Sequence, residues 1–421
     1  MRFTSLLFLI TLSILATAQT DNFSNTKRGT LYSEILSMNK NYQIFLPESY
    51  HYSENSSYPV VYIVDGDYNF YYQTGIVESL SNISEKIPEL IVVGISDNGN
   101  EGYRKDCTLK SKTNPNGNAE NFINYIEKEL KPEIEKQFRV SSYEILMGHS
   151  LGGLFTTNVS LHHPDLFSAY IAIDPSYWWD DYRIVSDADS LYKNKKDLES
   201  KLFVTLADSK RMGVHEFLGV AEKYFPDTKQ LTFKYYEDET HGSVGILSVR
   251  DGLVKIFESW ELTREKFYNF KSSSEVMAHY KNLSKQYNSK LRIPPFQLSN
   301  IIYFYFRNDK MDELTLLEHE IKTHFPSSID DYYSKLATYL MEKEKYEEAK
   351  KTLEKSIKSN PNAYKSHDAL SKLYYVKEDF PKAKQYAEKA ISIAKKLRVR
   401  QWQLNELQSN LDKVNGKVKE K

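Results

Sequence analysis

The chain reads as an α/β protein, a mainly parallel sheet flanked by helices, followed by an all-α helical-repeat domain. Three observations predict this. Apolar strand-like runs alternate with helical patterns from about residue 30 to 260, which is the signature of a parallel sheet covered on both faces. Near Lys271 the composition changes to Lys-, Glu- and Tyr-rich helical sequence. Gly148-His149-Ser150-Leu151-Gly152 stands between an apolar run and a helix-like run, the strand–turn–helix context that makes G-x-S-x-G a nucleophile elbow.

The first element is expected to be a leader. Arg2 precedes the apolar run Leu6 to Leu15, and Ala16-Thr17-Ala18 supplies a small-residue cleavage site, so residues 1–18 read as a signal peptide and the protein as exported, periplasmic or extracellular. The run is too short for a stable membrane span, so no transmembrane anchor is expected. A net charge of -1 gives no electrostatic footprint for nucleic acid. The single cysteine, Cys107, allows no internal disulfide and no metal cluster.

Strands are expected at Asn41–Leu46, Pro59–Val64, Leu90–Ile95, Tyr143–Met147, Ala169–Ile173, Lys201–Leu206 and Leu231–Tyr236. Helices are expected at Asn118–Gln137, Leu151–Leu161 and Val214–Tyr224. Pro59-Val-Val-Tyr-Ile-Val64 is apolar throughout, as a strand buried on both faces requires. These runs place a hydrolase domain at residues 19–265.

Residues 266–295 read as a helical linker, and 296–421 as tetratricopeptide-like repeats ending in a capping helix. Leu336, Tyr346, Ala349 and Ile357 recur 34 residues later as Leu370, Phe380, Ala383 and Ile391. That period, with Ala at a helix crossing, suits stacked helix–turn–helix units. Trp402, Leu404, Leu407 and Leu411 mark the capping helix. Such an array would bind a protein or peptide partner or shield the active-site mouth.

A serine nucleophile needs a base, an orienting acid and an oxyanion hole. Ser150 is the nucleophile candidate. His241, just past the last expected strand, is the base candidate, because a loop there can reach over the serine. His149, inside the elbow, is expected to point away. The acid should follow Lys201–Leu206, which leaves as alternatives Asp208, Glu216, or a serine-histidine pair with a weak or missing acid. The backbone N–H groups of Leu151, directly after the serine, and of Asp67, in the turn after Val64, are the oxyanion-hole candidates. Arg104, Tyr177, Trp178 and Trp179 lie at strand C-terminal ends, where α/β sheets collect ligands, and are the substrate-binding candidates. Arg104 could instead pair with Asp106. Ester hydrolysis by these groups needs no metal and no organic cofactor.

Taken together, Tyr58-Pro-Val-Val-Tyr-Ile-Val-Asp-Gly-Asp67, Val93-Gly-Ile-Ser-Asp-Asn98 with Arg104 and Asp106, Gly148-His-Ser-Leu-Gly-Gly153, Ile173-Asp-Pro-Ser-Tyr-Trp-Trp179 and Thr240-His-Gly-Ser243 resemble the putative esterase family of α/β-hydrolases, which includes esterase D and siderophore esterases. The resemblance covers residues 30 to 262. It implies Ser150 as nucleophile, His241 as base, and the amides of Asp67 and Leu151 as oxyanion hole. The loop Ala207-Asp-Ser-Lys-Arg-Met212 departs from the family pattern for the acid, which keeps Asp208 and Glu216 both open. The expected activity is a serine esterase acting on a siderophore or an esterified carbohydrate. The alternatives are an acyltransferase on the same scaffold and a repeat-based binding protein with an inactive hydrolase domain.

Overall fold

The computed structural model describes residues 25–420. The expected leader, residues 1–18, lies outside them. Eight strands form one sheet: β1 (Thr26–Ser33), β2 (Met38–Phe45), β3 (Tyr58–Ile63), β4 (Ile91–Ile95), β5 (Val140–His149), β6 (Ala169–Ile173), β7 (Lys201–Ala207) and β8 (Leu231–Tyr236). Their spatial order is β1-β2-β4-β3-β5-β6-β7-β8. β1 and β2 form an antiparallel hairpin, and β2 runs antiparallel to β4. From β4 to β8 every pairing is parallel.

Seven of these strands coincide with the apolar runs of the sequence. β1 adds an edge that hydropathy does not mark. Its sequence TKRGTLYS is mostly solvated, and its Lys27 and Arg28 suit an edge strand that must not pair with another chain. In the centre, successive residues point to opposite faces. Val61, Ile63, Ile171 and Phe203 join the core on one face, with Phe70 and Leu253 from helices Gly66–Glu78 and Gly245–Ile256. Val60, Tyr62, Tyr170 and Leu202 join the other, with Phe155 and Phe217 from helices Leu151–His162 and Val214–Tyr224.

The first of these cores continues into the C-terminal helices through Tyr280, Tyr287, Leu298, Ile302, Leu336 and Leu370. Helix Ser273–Gln286 packs on Met311–His324, and Ile329–Glu342 packs on Tyr346–Ser359. Tyr364–Val376 packs on Phe380–Lys396, which packs on Gln401–Glu420. Ala349 and Ala383 are fully buried, as close helix crossings demand.

The helices attach at one end of the sheet. Ser141 Oγ, at the start of β5, donates to Tyr287 O (3.1 Å), and Ser289 Oγ donates to Ser57 O (2.5 Å), just before β3. The Glu85 carboxylate accepts the N–H groups of Phe296 (2.8 Å) and Gln297 (3.0 Å), capping the positive end of helix Pro295–Arg307. Arg400 pairs with Glu48 at 2.7 Å. Ser150 lies at the other end of β5, about 30 Å away at the rise of a strand. These contacts hold the helical region at the end of the sheet opposite the serine, not over its mouth.

Candidate active site

β5 delivers the chain into a turn at Ser150, whose φ of 58° and ψ of -117° are those of a strained non-glycine residue, and helix Leu151–His162 begins at the next position. The glycines make this turn possible. A Cβ on Gly148 would stand 2.4 Å from the Gly152 backbone. The turn is tied on three sides. Ser150 N–H donates to Ile173 O (3.0 Å), and Ser176 N–H donates to Ser150 O (3.0 Å). The Tyr103 hydroxyl donates to His149 O (2.6 Å) and accepts Gly152 N–H (2.7 Å), clamping both sides of the serine. Sequence reasoning missed Tyr103, since nothing local marks a tyrosine that closes a turn 46 residues away.

His241 arrives from the turn after β8. Its Nε2 lies 3.0 Å from Ser150 Oγ, and its Nδ1 lies 2.5 Å from Oδ2 of Asp174. Asp174 is the first residue after β6 and is fully buried, with φ at 40°. Its Oδ1 accepts Ala207 N–H (2.9 Å), and its Oδ2 accepts the Ser209 hydroxyl (2.8 Å). Burial pushes this carboxyl up, but the hydrogen bonds from His241, Ala207 and Ser209 outweigh burial and hold it below the ordinary carboxylate value.

Neither acid expected from the sequence touches His241. Asp208 is exposed, its N–H donates to Glu239 O (2.9 Å), and its carboxylate lies 3.5 Å from the Tyr235 hydroxyl. Glu216 is exposed on helix Val214–Tyr224. The physical reason is that the turn after β6 fills the space beside Nδ1. The end of β7 and the loop after it contribute an N–H and a hydroxyl to Asp174 instead of a carboxylate to His241.

His149 also departs from expectation. Its ring lies 4.5 Å from that of His241, centroid to centroid. Burial lowers its pKa, against the pull of buried Asp65. Asp65 Oδ2 accepts His149 N–H at 2.9 Å.

Asp67 and Leu151 stand in the first turns of helices Gly66–Glu78 and Leu151–His162, where backbone N–H groups have no intrahelical acceptor. The strands before them run side by side, with Val64 N–H donating to Met147 O (3.0 Å). The Asp67 carboxylate accepts the Ser96 hydroxyl (2.7 Å) and Asp97 N–H (2.8 Å), which pins its turn. Burial, with Asp65 and Asp67 alongside, pushes the Asp97 carboxyl up to about 8.

Of the substrate-binding candidates, Trp178 is exposed and Trp179 partly so, with ring centroids 5.6 Å apart. Arg104 lies over the Trp179 ring at 6.0 Å. It does not pair with Asp106, which is taken by buried Lys40 at 2.8 Å. Tyr177 is fully buried; its hydroxyl lies 2.6 Å from Thr157 Oγ1 and its ring packs on Phe217. It is a core residue, because the turn after Pro175 rotates it inward. Among the described residues, His149, Asp174 and His241 are the one group with donor atoms close enough to share a metal ion. Asp174 and His241 are already bonded to each other.

Residues 33–241 match the family model described as "Putative esterase". Over that segment the chain is similar to the putative esterase family. The ferri-bacillibactin esterase BesA of Bacillus subtilis is 30% identical over 188 residues, a match covering 40% of this chain and 65% of that protein. The chain therefore spans just under two thirds of that relative's length. The siderophore triacetylfusarinine C esterase of Aspergillus fumigatus is 28% identical over 241 residues, covering 48% of this chain and 82% of its own. Among solved structures, an IroE-like serine hydrolase from Shewanella oneidensis superposes with a TM-score of 0.58 at 28% identity, over 71% of this chain and 99% of that one. Two of these relatives are named esterases, one of them a siderophore esterase, and the third has the same fold. Among the described residues no helix is long and apolar enough to cross a membrane.

Proposed function

We propose that this chain is an exported serine esterase that cleaves carboxylic esters through an acyl-enzyme, with ester-linked siderophores as its substrate class. The observation that carries the activity is the hydrogen-bond chain Ser150–His241–Asp174 at a strained elbow. Asp174 is ionised at neutral pH and can only accept, so the proton of neutral His241 sits on Nδ1. Nε2 is then bare and takes the proton of Ser150 as Oγ attacks the ester carbonyl. The imidazolium that forms is stabilised by Asp174, and its Nε2 proton passes to the departing alcohol. Water then repeats the sequence on the acyl-enzyme and frees Ser150. The N–H groups of Asp67 and Leu151 are the proposed donors to the carbonyl oxygen as it becomes an oxyanion.

The relatives' names support the substrate class, and the Trp178–Trp179 pair with Arg104 offers an aromatic and cationic wall for it. The leader-like residues 1–18 support export. The 34-residue spacing supports reading 296–421 as tetratricopeptide-like repeats that take a protein or peptide partner, after a hydrolase domain ending near 265.

Hydrolysis of p-nitrophenyl butyrate and of an iron-loaded tri-ester siderophore by wild type and Ser150→Ala tests the reading. Turnover of both, lost about a thousandfold or more in the variant, is expected. Turnover that survives Ser150→Ala excludes Ser150 as the nucleophile.

A further inference from the structure

The segment Asp174-Pro175-Ser176 does more than orient His241. Ser176 is buried, and its hydroxyl oxygen lies 3.2 Å from Ser150 Oγ. Its position is fixed by its own backbone, since Ser176 N–H donates to Ser150 O (3.0 Å) and Trp179 N–H donates to Ser176 O (3.1 Å). The direction of the hydroxyl–hydroxyl bond follows from counting protons. Asp174 accepts from Nδ1 of His241, which leaves Nε2 as an acceptor, and Ser150 has one proton, which Nε2 takes at 3.0 Å. Ser150 therefore has nothing left to donate, and the Ser176 hydroxyl must be the donor.

We infer that Ser176 is a catalytic residue of this site, a fixed O–H donor to the nucleophilic oxygen itself. The inference rests on the proposed esterase reading. As Ser150 transfers its proton to Nε2, negative charge gathers on Oγ, and a hydrogen bond to a charged oxygen is stronger than one to a neutral hydroxyl. The bond thus favours the transition state over the ground state, which raises kcat rather than lowering KM. In deacylation the C–Oγ bond breaks and Oγ leaves with the same charge, before His241 returns the proton. Ser176 stabilises that departure too. It keeps its own proton throughout, so no proton is gained or lost by the second hydroxyl. One turn at the end of β6 thereby serves the base through Asp174 and the nucleophile through Ser176.

The test is pre-steady-state hydrolysis of p-nitrophenyl acetate by wild type, Ser176→Ala, Ser176→Thr and Ser150→Ala, with melting temperatures measured alongside. Ser176→Ala is expected to slow both the acylation burst and the steady state about tenfold, with KM within about twofold of wild type and an unchanged melting temperature. Ser176→Thr, which keeps the hydroxyl, is expected to recover most of the loss. Acylation and deacylation both within about twofold of wild type in Ser176→Ala overturn the inference, as does a loss confined to KM. Ser150→Ala separates the two failures. If it retains turnover, the esterase reading itself falls; if it is inactive while Ser176→Ala behaves as wild type, only the role of Ser176 falls.

Discussion

Asp174 Oδ2 and His241 Nδ1 lie 2.5 Å apart, so the carboxylate that holds the histidine comes from the turn after β6 rather than from the loop after β7. The two turns cooperate. Ala207, at the end of β7, and Ser209, from the loop after it, donate to Asp174 and keep it ionised inside the protein. An ionised carboxylate buried without such donors would cost several kcal/mol.

The elbow leaves no room for a side chain at Gly148. A methyl group there meets the Gly152 backbone at 2.4 Å, and backbone cannot swing aside as a flexible side chain can. Gly148→Ala is expected to lower kcat/KM roughly a hundredfold by displacing Ser150 from His241, since a misplacement of about 1 Å costs that much. Steady-state kinetics on a p-nitrophenyl ester measure it.

Tyr177 and Trp178 are adjacent in sequence and should separate in effect. Tyr177→Phe leaves Thr157 without its 2.6 Å partner, so it is expected to cost about 1 kcal/mol of stability in urea titrations and to leave kcat/KM unchanged. Trp178→Ala is expected to raise KM for an aromatic ester about five- to tenfold, the scale of one aromatic contact, with little change in the urea midpoint. The reverse pattern would mean that Tyr177 faces the substrate.

Asp97 ties stability to pH. Its carboxyl is pushed from the ordinary carboxylate range up to about 8. Between about pH 4 and 8 the folded state thus holds a proton that the unfolded state has released, so stability falls as pH rises through that window. Asp97→Asn removes this term. Its melting temperature relative to wild type should climb from pH 4 to 8 and level off above; a difference that does not depend on pH would contradict the assignment.

The helical region is held together in part through buried charge. Arg292 pairs with Asp331 at 2.5 Å, with both side chains under a tenth exposed, and Lys365 completes the group. Arg292→Met removes one of the two cations paired with Asp331 while keeping apolar bulk, and is expected to cost about 3 kcal/mol because Asp331 stays buried with half its partners. Arg292 sits at the far edge of the sheet from Ser150, so esterase activity at a temperature where the variant is folded should match wild type.

Much of this is legible in the sequence, for reasons that also explain what is not. β6 and helix Val214–Tyr224 coincide residue for residue with their apolar patterns, because strands and helices buried on a sheet must be apolar with the right period. The elbow is legible because its glycines answer a local steric need. β1 escapes because an edge strand buries too little to need apolar residues. Asp174 escapes for a different reason: its partners Ala207, Ser209 and His241 come from the end of β7 and from two other loops, and nothing near position 174 reveals which segments close over it. The clue was an aspartate immediately after a strand next to the elbow strand, followed by Pro175, yet Asp208 likewise stands immediately after a strand. Tyr177 misleads because alternation breaks down in a turn, and the backbone path after Pro175 sends it into the core.

The central claim is that Asp174 serves His241 at Ser150. The most direct measurement is kcat/KM for p-nitrophenyl butyrate with Asp174→Asn, Asp208→Ala and Glu216→Ala, compared side by side with wild type. We expect Asp174→Asn to lose about a hundredfold or more, since an amide in place of the carboxylate disfavours the tautomer with the proton on Nδ1, while the other two remain within about twofold of wild type. Near-normal activity in Asp174→Asn, with the loss appearing in Asp208→Ala or Glu216→Ala, would contradict it.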